Sequence, residues 1–246
     1  MPEHLRGGEE ALRPDLTLGW WADGECCLAA ALGRLDDTDF SGPSLLPGWS
    51  RGHVLAHAAR NADALVNLLT WARTGVETPM YASPEARDAG IADAARLPAP
   101  GLRTVVLAAA ARLAAVVQDM PDAHWSTEVR TAQGRTVPAS EVPWMRCREA
   151  WVHVVDLDAG VTFADVPEDV QVALLGDVFE TWERRGQLPD IVVSAGERHW
   201  GRGALAVAGP LSCVTAWVTG RSAGNGHDVV SGLSADGPLP ALPAWL

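Results

Sequence analysis

The chain has 246 residues, 48% of them hydrophobic, with a formal net charge of -12 and a sequence pI near 4.9. That is enough apolar material for one large domain or two modest ones. The acidic balance argues against a nucleic-acid partner, which calls for a basic face. All 19 basic residues are Arg, so a Schiff-base or P-loop lysine is excluded and anions must be held by guanidinium forks.

The N-terminal "MPEHLRGGEEALRPD" is acidic and polar, unlike a secretory leader. A first helix is predicted from about Asp15 to Leu35 by apolar residues at three- and four-residue spacings. After the breaker-rich "DDTDFSGPSLLPGW", Ser50 is placed to cap a second helix, which Gly75 closes. Ser83 followed by Pro84 predicts a short helix over "SPEARDAGIADAAR". A long Ala-rich helix is expected from Leu102 to Met120; Arg103 and Arg112 interrupt it, so it reads as a buried helix rather than a membrane span. Gln133-Gly134 mark a small hairpin. "RCREAWVHVVDLDAG", preceded by Pro143, predicts a helix ending at Gly160.

Beyond "VTFADVP" the texture changes. A helix over "EDVQVALLGDVFETWERR", short strands in "PDIVVSAG" and "GALAVAG", and a helix in "PLSCVTAWVTGR" are expected. The predicted fold is mostly α: a helical bundle over residues 1–163 and a smaller α+β domain over 164–246, with the substrate cleft between them. Cys26, Cys27, Cys147 and Cys213 include no CxxC pair, which reads as a reduced, cytoplasmic protein.

The polar residues of "RCREAWVHVVDLDAG" are out of place in a core helix. At about 100° per residue, with Glu149 at zero, His153 falls near 40° and Asp156 near -20°, one narrow stripe. Glu149 and His153 at i and i+4 can converge on one ion, though a His and a Glu one turn apart more often form a surface or partly buried ion pair. A catalytic zinc wants three ligands and an open position. The second helix offers His53 and His57; small neighbours Ala56, Ala58 and Ala59 favour His57, and Asn61 would share its face. Cys147 lies on another face, so a catalytic thiol is not expected there. Trp20, Trp21, Trp144 and Trp151 read as core and interface, and His124, His199 and His227 have no partner at ligand spacing.

The order "LPGWSRGHVLAHAARNADAL", "WMRCREAWVHVVDLDAG" and "AWVTGR" resembles the mycothiol-dependent maleylpyruvate isomerase family of actinobacteria, over nearly the whole chain. The resemblance implies a DinB/YfiT-like four-helix bundle in which His57, Glu149 and His153 bind a divalent metal, zinc being the expected ion. It also implies a functional acid at Asp156, a substrate-binding arginine matched by Arg221, and another arginine near the active site matched by Arg87. Mycothiol would be the thiol cosubstrate. Presented as a metal-bound thiolate, it adds to the cis double bond of maleylpyruvate; rotation and elimination then give fumarylpyruvate, as in gentisate-type aromatic degradation. Arg221 and Arg87 would hold the substrate carboxylates. Asp156 would orient His153 or accept the thiol proton. A mycothiol S-transferase acting on another electrophile shares these parts, and a non-catalytic metal-binding regulatory module is the reading from a different class.

Overall fold

The computed structural model describes residues 14–221 and 232–245. The N-terminal leader reading and His227 lie outside the described residues. The chain divides into two compact units, residues 1–159 and 160–246.

The first unit holds α1 (Pro14–Arg34), α2 (Arg51–Thr74), α3 (Pro84–Ala95), α4 (Ala99–Gln118), the hairpin β1 (Glu128–Arg130) and β2 (Thr136–Pro138), and α5 (Val142–Asp156). Helices α1, α2, α4 and α5 form a four-helix bundle in which α1 packs on α5 and α2 packs on both α4 and α5; α3 lies against α2. The caps fall where local chemistry requires them. Ser50 accepts the His53 N–H, Ser83 accepts that of Ala86, and Gly75 closes α2 in the left-handed region that suits a residue without Cβ. Val129 faces Val137 across the hairpin, whose turn uses Gly134 at positive φ.

Every residue of α5 except Glu149 is buried, so the bundle wraps this helix. One close approach allows it: a Cβ on Gly24 would stand 2.9 Å from Trp151 Nε1, the indole that donates to Trp20 O at 2.9 Å. Trp21, Trp144 and Trp151 are buried, and Trp20 and Trp144 meet edge to face at 6.3 Å.

Two sequence expectations need correction here. α5 stops at Asp156 rather than Gly160, because Asp158 takes φ 51° and the last carbonyls are held from outside the helix. Arg51 donates to Leu157 O at 2.7 Å and Asp158 O at 2.9 Å, and Arg34 donates to Ala159 O. α4 begins at Ala99, since Pro98 and Pro100 fit the first turn, where no N–H is missed. It is not a buried helix. By length and composition Ala99–Gln118 could cross a membrane, yet only its Ala99, Leu102, Val106, Ala109 and Leu113 stripe is buried. Arg103 donates to the Leu32 and Leu35 carbonyls and stacks on Phe40, while Arg112 binds Asp63 at 2.6 Å.

The second unit holds α6 (Glu168–Arg184), β3 (Ile191–Ala195), β4 (Arg198–Arg202), β5 (Leu205–Ala208), α7 (Leu211–Val218) and β6 (Ser234–Ala235). The sheet order is β4-β3-β5-β6, with β3 and β5 parallel and the other pairs antiparallel. Ile191, Val193, Ala195 and Val207 bury one face of the sheet, and Trp182 of α6 is fully buried. Gly203 is obligatory, for a Cβ there would overlap the Asp190 backbone. The overall architecture is the expected mostly-α chain with a smaller α+β part.

Candidate metal centre

Two tethers set α2 against α5. At the end of α5, Arg51 of α2 holds the Leu157 and Asp158 carbonyls. Nearer its start, Arg146 is 1% exposed and donates to Ala58 O at 2.7 Å, Asn61 Oδ1 at 3.1 Å and Glu25 Oε1 at 2.5 Å. His57, Glu149 and His153 lie between these tethers along the two helices. Asn61 is thus taken by Arg146. His53 serves as a cap residue, its Nδ1 2.7 Å from Ser50 Oγ.

His57 Nε2 stands 3.0 Å from Glu149 Oε2, and His153 Nε2 stands 3.2 Å from the same oxygen. The three ligand atoms lie within 4.8 Å of one another, and the two imidazole rings meet edge to face at 4.7 Å. A tetrahedral zinc with ligands at 2.0–2.1 Å has edges of ~3.4 Å, close to the 3.0 and 3.2 Å that separate the two imidazole nitrogens from Glu149 Oε2. The donor set, two imidazole nitrogens and one carboxylate oxygen, suits zinc with a coordination position left open. The residues therefore fit the metal that the family resemblance implies.

Asp156 is fully buried and its Oδ2 is 2.8 Å from His153 Nδ1. A carboxylate there fixes the tautomer that leaves Nε2 facing the cluster. Electrostatics differ sharply between the imidazoles. Burial, the largest influence on His57, keeps it below its ordinary pKa despite Glu149. Burial also works against His153, but the bonds from Asp156 and Glu149 outweigh it and lift the imidazole to about 9. For Glu149, burial is outweighed by the two imidazoles, which hold the carboxyl well below its usual range. At neutral pH the cluster thus carries an ionised Glu149 and a neutral His57.

Arg87, from the first turn of α3, places Nη2 3.4 Å from His57 Nδ1 and Nη1 2.8 Å from Asp88. Two residues at this site went unnoticed in the sequence. The Trp49 indole lies edge-on to His57 at 5.7 Å, and Tyr81 sits with its ring 5.9 Å from the Arg87 guanidinium carbon. Burial, reinforced by Glu149, pushes the Tyr81 phenol up to about 12. Tyr81 is the only tyrosine, but nothing in its local pattern marks it. Trp49 sits in "LPGW" just before the Ser50 cap, a position that carries no signal of its own.

Arg221 belongs to the second unit, just past α7, where Nη1 donates to Thr219 O at 2.7 Å. A cavity of about 770 Å³ in that unit, bordered by Gln171, Arg198 and Ser212, contains none of the candidate residues. Cys147 is fully buried and its thiol is pushed up to about 12 by burial, an inert environment. His199 pairs with Ser194 Oγ at 3.0 Å.

Comparison with known proteins identifies what the chain is similar to. Residues 21–158 match the family described as mycothiol maleylpyruvate isomerase N-terminal domain. Among solved structures, one described as the mycothiol-dependent maleylpyruvate isomerase is 38% identical and superposes with a TM-score of 0.87. The match covers 95% of this chain and 98% of that one. A histidine-to-alanine mutant of that isomerase is 37% identical over the same shares, with a TM-score of 0.88. No curated protein matches. The family match over more than half the chain, together with likeness along almost its whole length, places this chain in the mycothiol-dependent maleylpyruvate isomerase family.

Proposed function

We propose that this chain is a cytoplasmic, zinc-assisted enzyme that isomerises maleylpyruvate to fumarylpyruvate with mycothiol as cosubstrate, in gentisate-type aromatic degradation. The observation that carries the reading is the convergence of His57 Nε2, Glu149 Oε2 and His153 Nε2 on one point. Cys26, Cys27, Cys147 and Cys213 form no disulfide, consistent with a reducing compartment.

His57, Glu149 and His153 would hold the zinc. When bound, zinc supplies the Lewis acidity that lets a thiol ionise at neutral pH. Glu149 is ionised and His57 neutral without any metal, so neither has to lose a proton to act as a ligand. Asp156 acts as a positioning residue: its carboxylate accepts a hydrogen bond from His153 Nδ1–H and keeps Nε2 aimed at the cluster, where the Nε2 proton would be displaced by zinc. Fully buried against that imidazole, it is better placed to steady His153 than to meet a thiol proton. Arg87 holds one carboxylate of the dianion beside the cluster. Arg221 is retained as a second carboxylate-binding fork on the strength of the "TGR" motif.

In the overall reaction the mycothiol sulfur adds to the cis carbon–carbon double bond, and its proton is released. The bond becomes single and rotates. Elimination of the thiol restores the double bond in the trans form, with no net change in atoms or electrons. The test is to incubate zinc-loaded protein with maleylpyruvate, with and without mycothiol, and follow fumarylpyruvate. Thiol-dependent turnover is expected. Absence of turnover together with a stable thiol adduct on another electrophile would replace isomerisation with S-transfer.

A further inference from the structure

Arg60 lies three residues beyond His57 on α2, and Arg87 and Gly90 share a face of α3 by the same spacing. Gly90 is what lets Arg60 fit between the helices. A Cβ there would stand 3.1 Å from Arg60 Nε and 3.3 Å from Nη2, so the guanidinium lies across the bare Cα of α3. From the same face of α3, Arg87 reaches His57. Tyr81, just before α3, stands by Arg87, and its hydroxyl feels the charges of Glu149, Arg87 and Arg60 together. Arg87 thus reaches the ligand cluster, with Tyr81 beside it and Arg60 against the same face of α3.

Arg60 is poorly neutralised where it lies. The carboxylate paired with it, Asp63, is 3.8 Å away, beyond hydrogen-bond reach, and binds Arg112 at 2.6 Å. Arg60 Nε is buried without a hydrogen-bond partner. Two cations on one face of α3, one of them incompletely paired, can seat an anion with more than one charge.

We propose that Arg60, with Arg87 and the Tyr81 hydroxyl, forms the carboxylate-holding wall of the site and selects dicarboxylates. Arg60 grips a carboxylate of the substrate and Tyr81 donates a hydrogen bond to it. The selection is for an unsaturated dianion over a monoanion of similar shape. This inference rests on the isomerase reading above for the identity of the substrate, but the wall itself is tested by binding alone.

The probe is maleate, a cis-dicarboxylate, titrated calorimetrically into the zinc-loaded protein, with isocrotonate, the cis monocarboxylate, as control. Loss of one charge-assisted contact predicts that Arg60→Gln weakens maleate about tenfold to a hundredfold. Arg60→Lys should recover part of that loss, and Tyr81→Phe should lose less than Arg60→Gln. Gly90→Ala, which only presses Arg60 aside, should fall between wild type and Arg60→Gln. Isocrotonate binding should be weak and far less sensitive to Arg60, and zinc affinity, read with a chromogenic chelator, should not change in Arg60→Gln. Wild-type maleate affinity in Arg60→Gln overturns the proposal, as does absence of maleate binding to the wild type. A loss of zinc parallel to the loss of maleate also overturns it, by making Arg60 a structural residue. Arg60-dependent maleate binding without isomerase turnover would uphold the wall and reject the reaction.

Discussion

Asp156→Asn keeps the size of the side chain and removes its charge. Asp156 is fully buried, 2.8 Å from His153 Nδ1, and its bond is the leading influence that raises that imidazole to about 9. Two opposite consequences follow for zinc. With the carboxylate gone, His153 is a weaker donor, and loss of such a supporting partner costs about tenfold to a hundredfold in metal affinity. The proton that zinc must displace is also held less tightly. In the wild type at pH 7, an imidazole titrating at about 9 keeps affinity about a hundredfold below its high-pH limit. The variant escapes much of that competition. The two effects therefore offset one another near pH 7, and the deficit of Asp156→Asn should emerge as pH rises, reaching about tenfold or more at pH 9. Competition with a chromogenic zinc chelator from pH 6 to 9.5 measures this directly. Equal affinities for wild type and variant at pH 9.5, or a deficit that shrinks as pH rises, would refute the reasoning.

Other outcomes follow from the same geometry. His57→Ala removes one of three ligands, and its zinc content after loading and dialysis should fall to a small fraction of wild type by elemental analysis. Zinc retention at wild-type stoichiometry would move the site elsewhere. In metal-free protein, the raised His153 contributes about 3 kcal/mol that is fully present below pH 6.5 and lost as pH rises through 9, roughly 6–12 °C in Tm. His57, held low, contributes in the opposite sense: its share is present above pH 6.5 and lost as pH falls. Calorimetric melts should therefore peak near pH 6.5 without metal, and zinc should restore stability most on the alkaline side. Arg146→Met breaks a buried pair and leaves Ala58 O and Asn61 short of a donor, so urea unfolding should show a loss of about 3 kcal/mol or more.

The ligand stripe was legible because a helix imposes it: Glu149, His153 and Asp156 share a face through rise and twist alone. Caps were legible for the same local reason, with Ser50, Gly75 and Ser83 each meeting backbone groups within a few residues. What escaped depends on contacts distant in sequence. α5 ends early because Arg51 and Arg34 take its carbonyls from over a hundred residues away. α4 looked like core by composition, yet alanine tolerates solvent and only one stripe is buried. β4, "RHWGR", is an exposed strand at the sheet edge with no apolar alternation to announce it. Arg60 and Tyr81 gain meaning only from α3 packing on α2, with Gly90 bare between them.

The central claim is that His57, Glu149 and His153 hold a zinc whose open position receives the mycothiol sulfur. X-ray absorption at the zinc edge, before and after adding mycothiol, tests it most directly. The expected spectrum of the loaded protein has nitrogen and oxygen neighbours only, with the imidazole signature of two histidines, and mycothiol should add one sulfur at ~2.3 Å. A spectrum unchanged by saturating mycothiol, or one with sulfur already present from the protein, would contradict it.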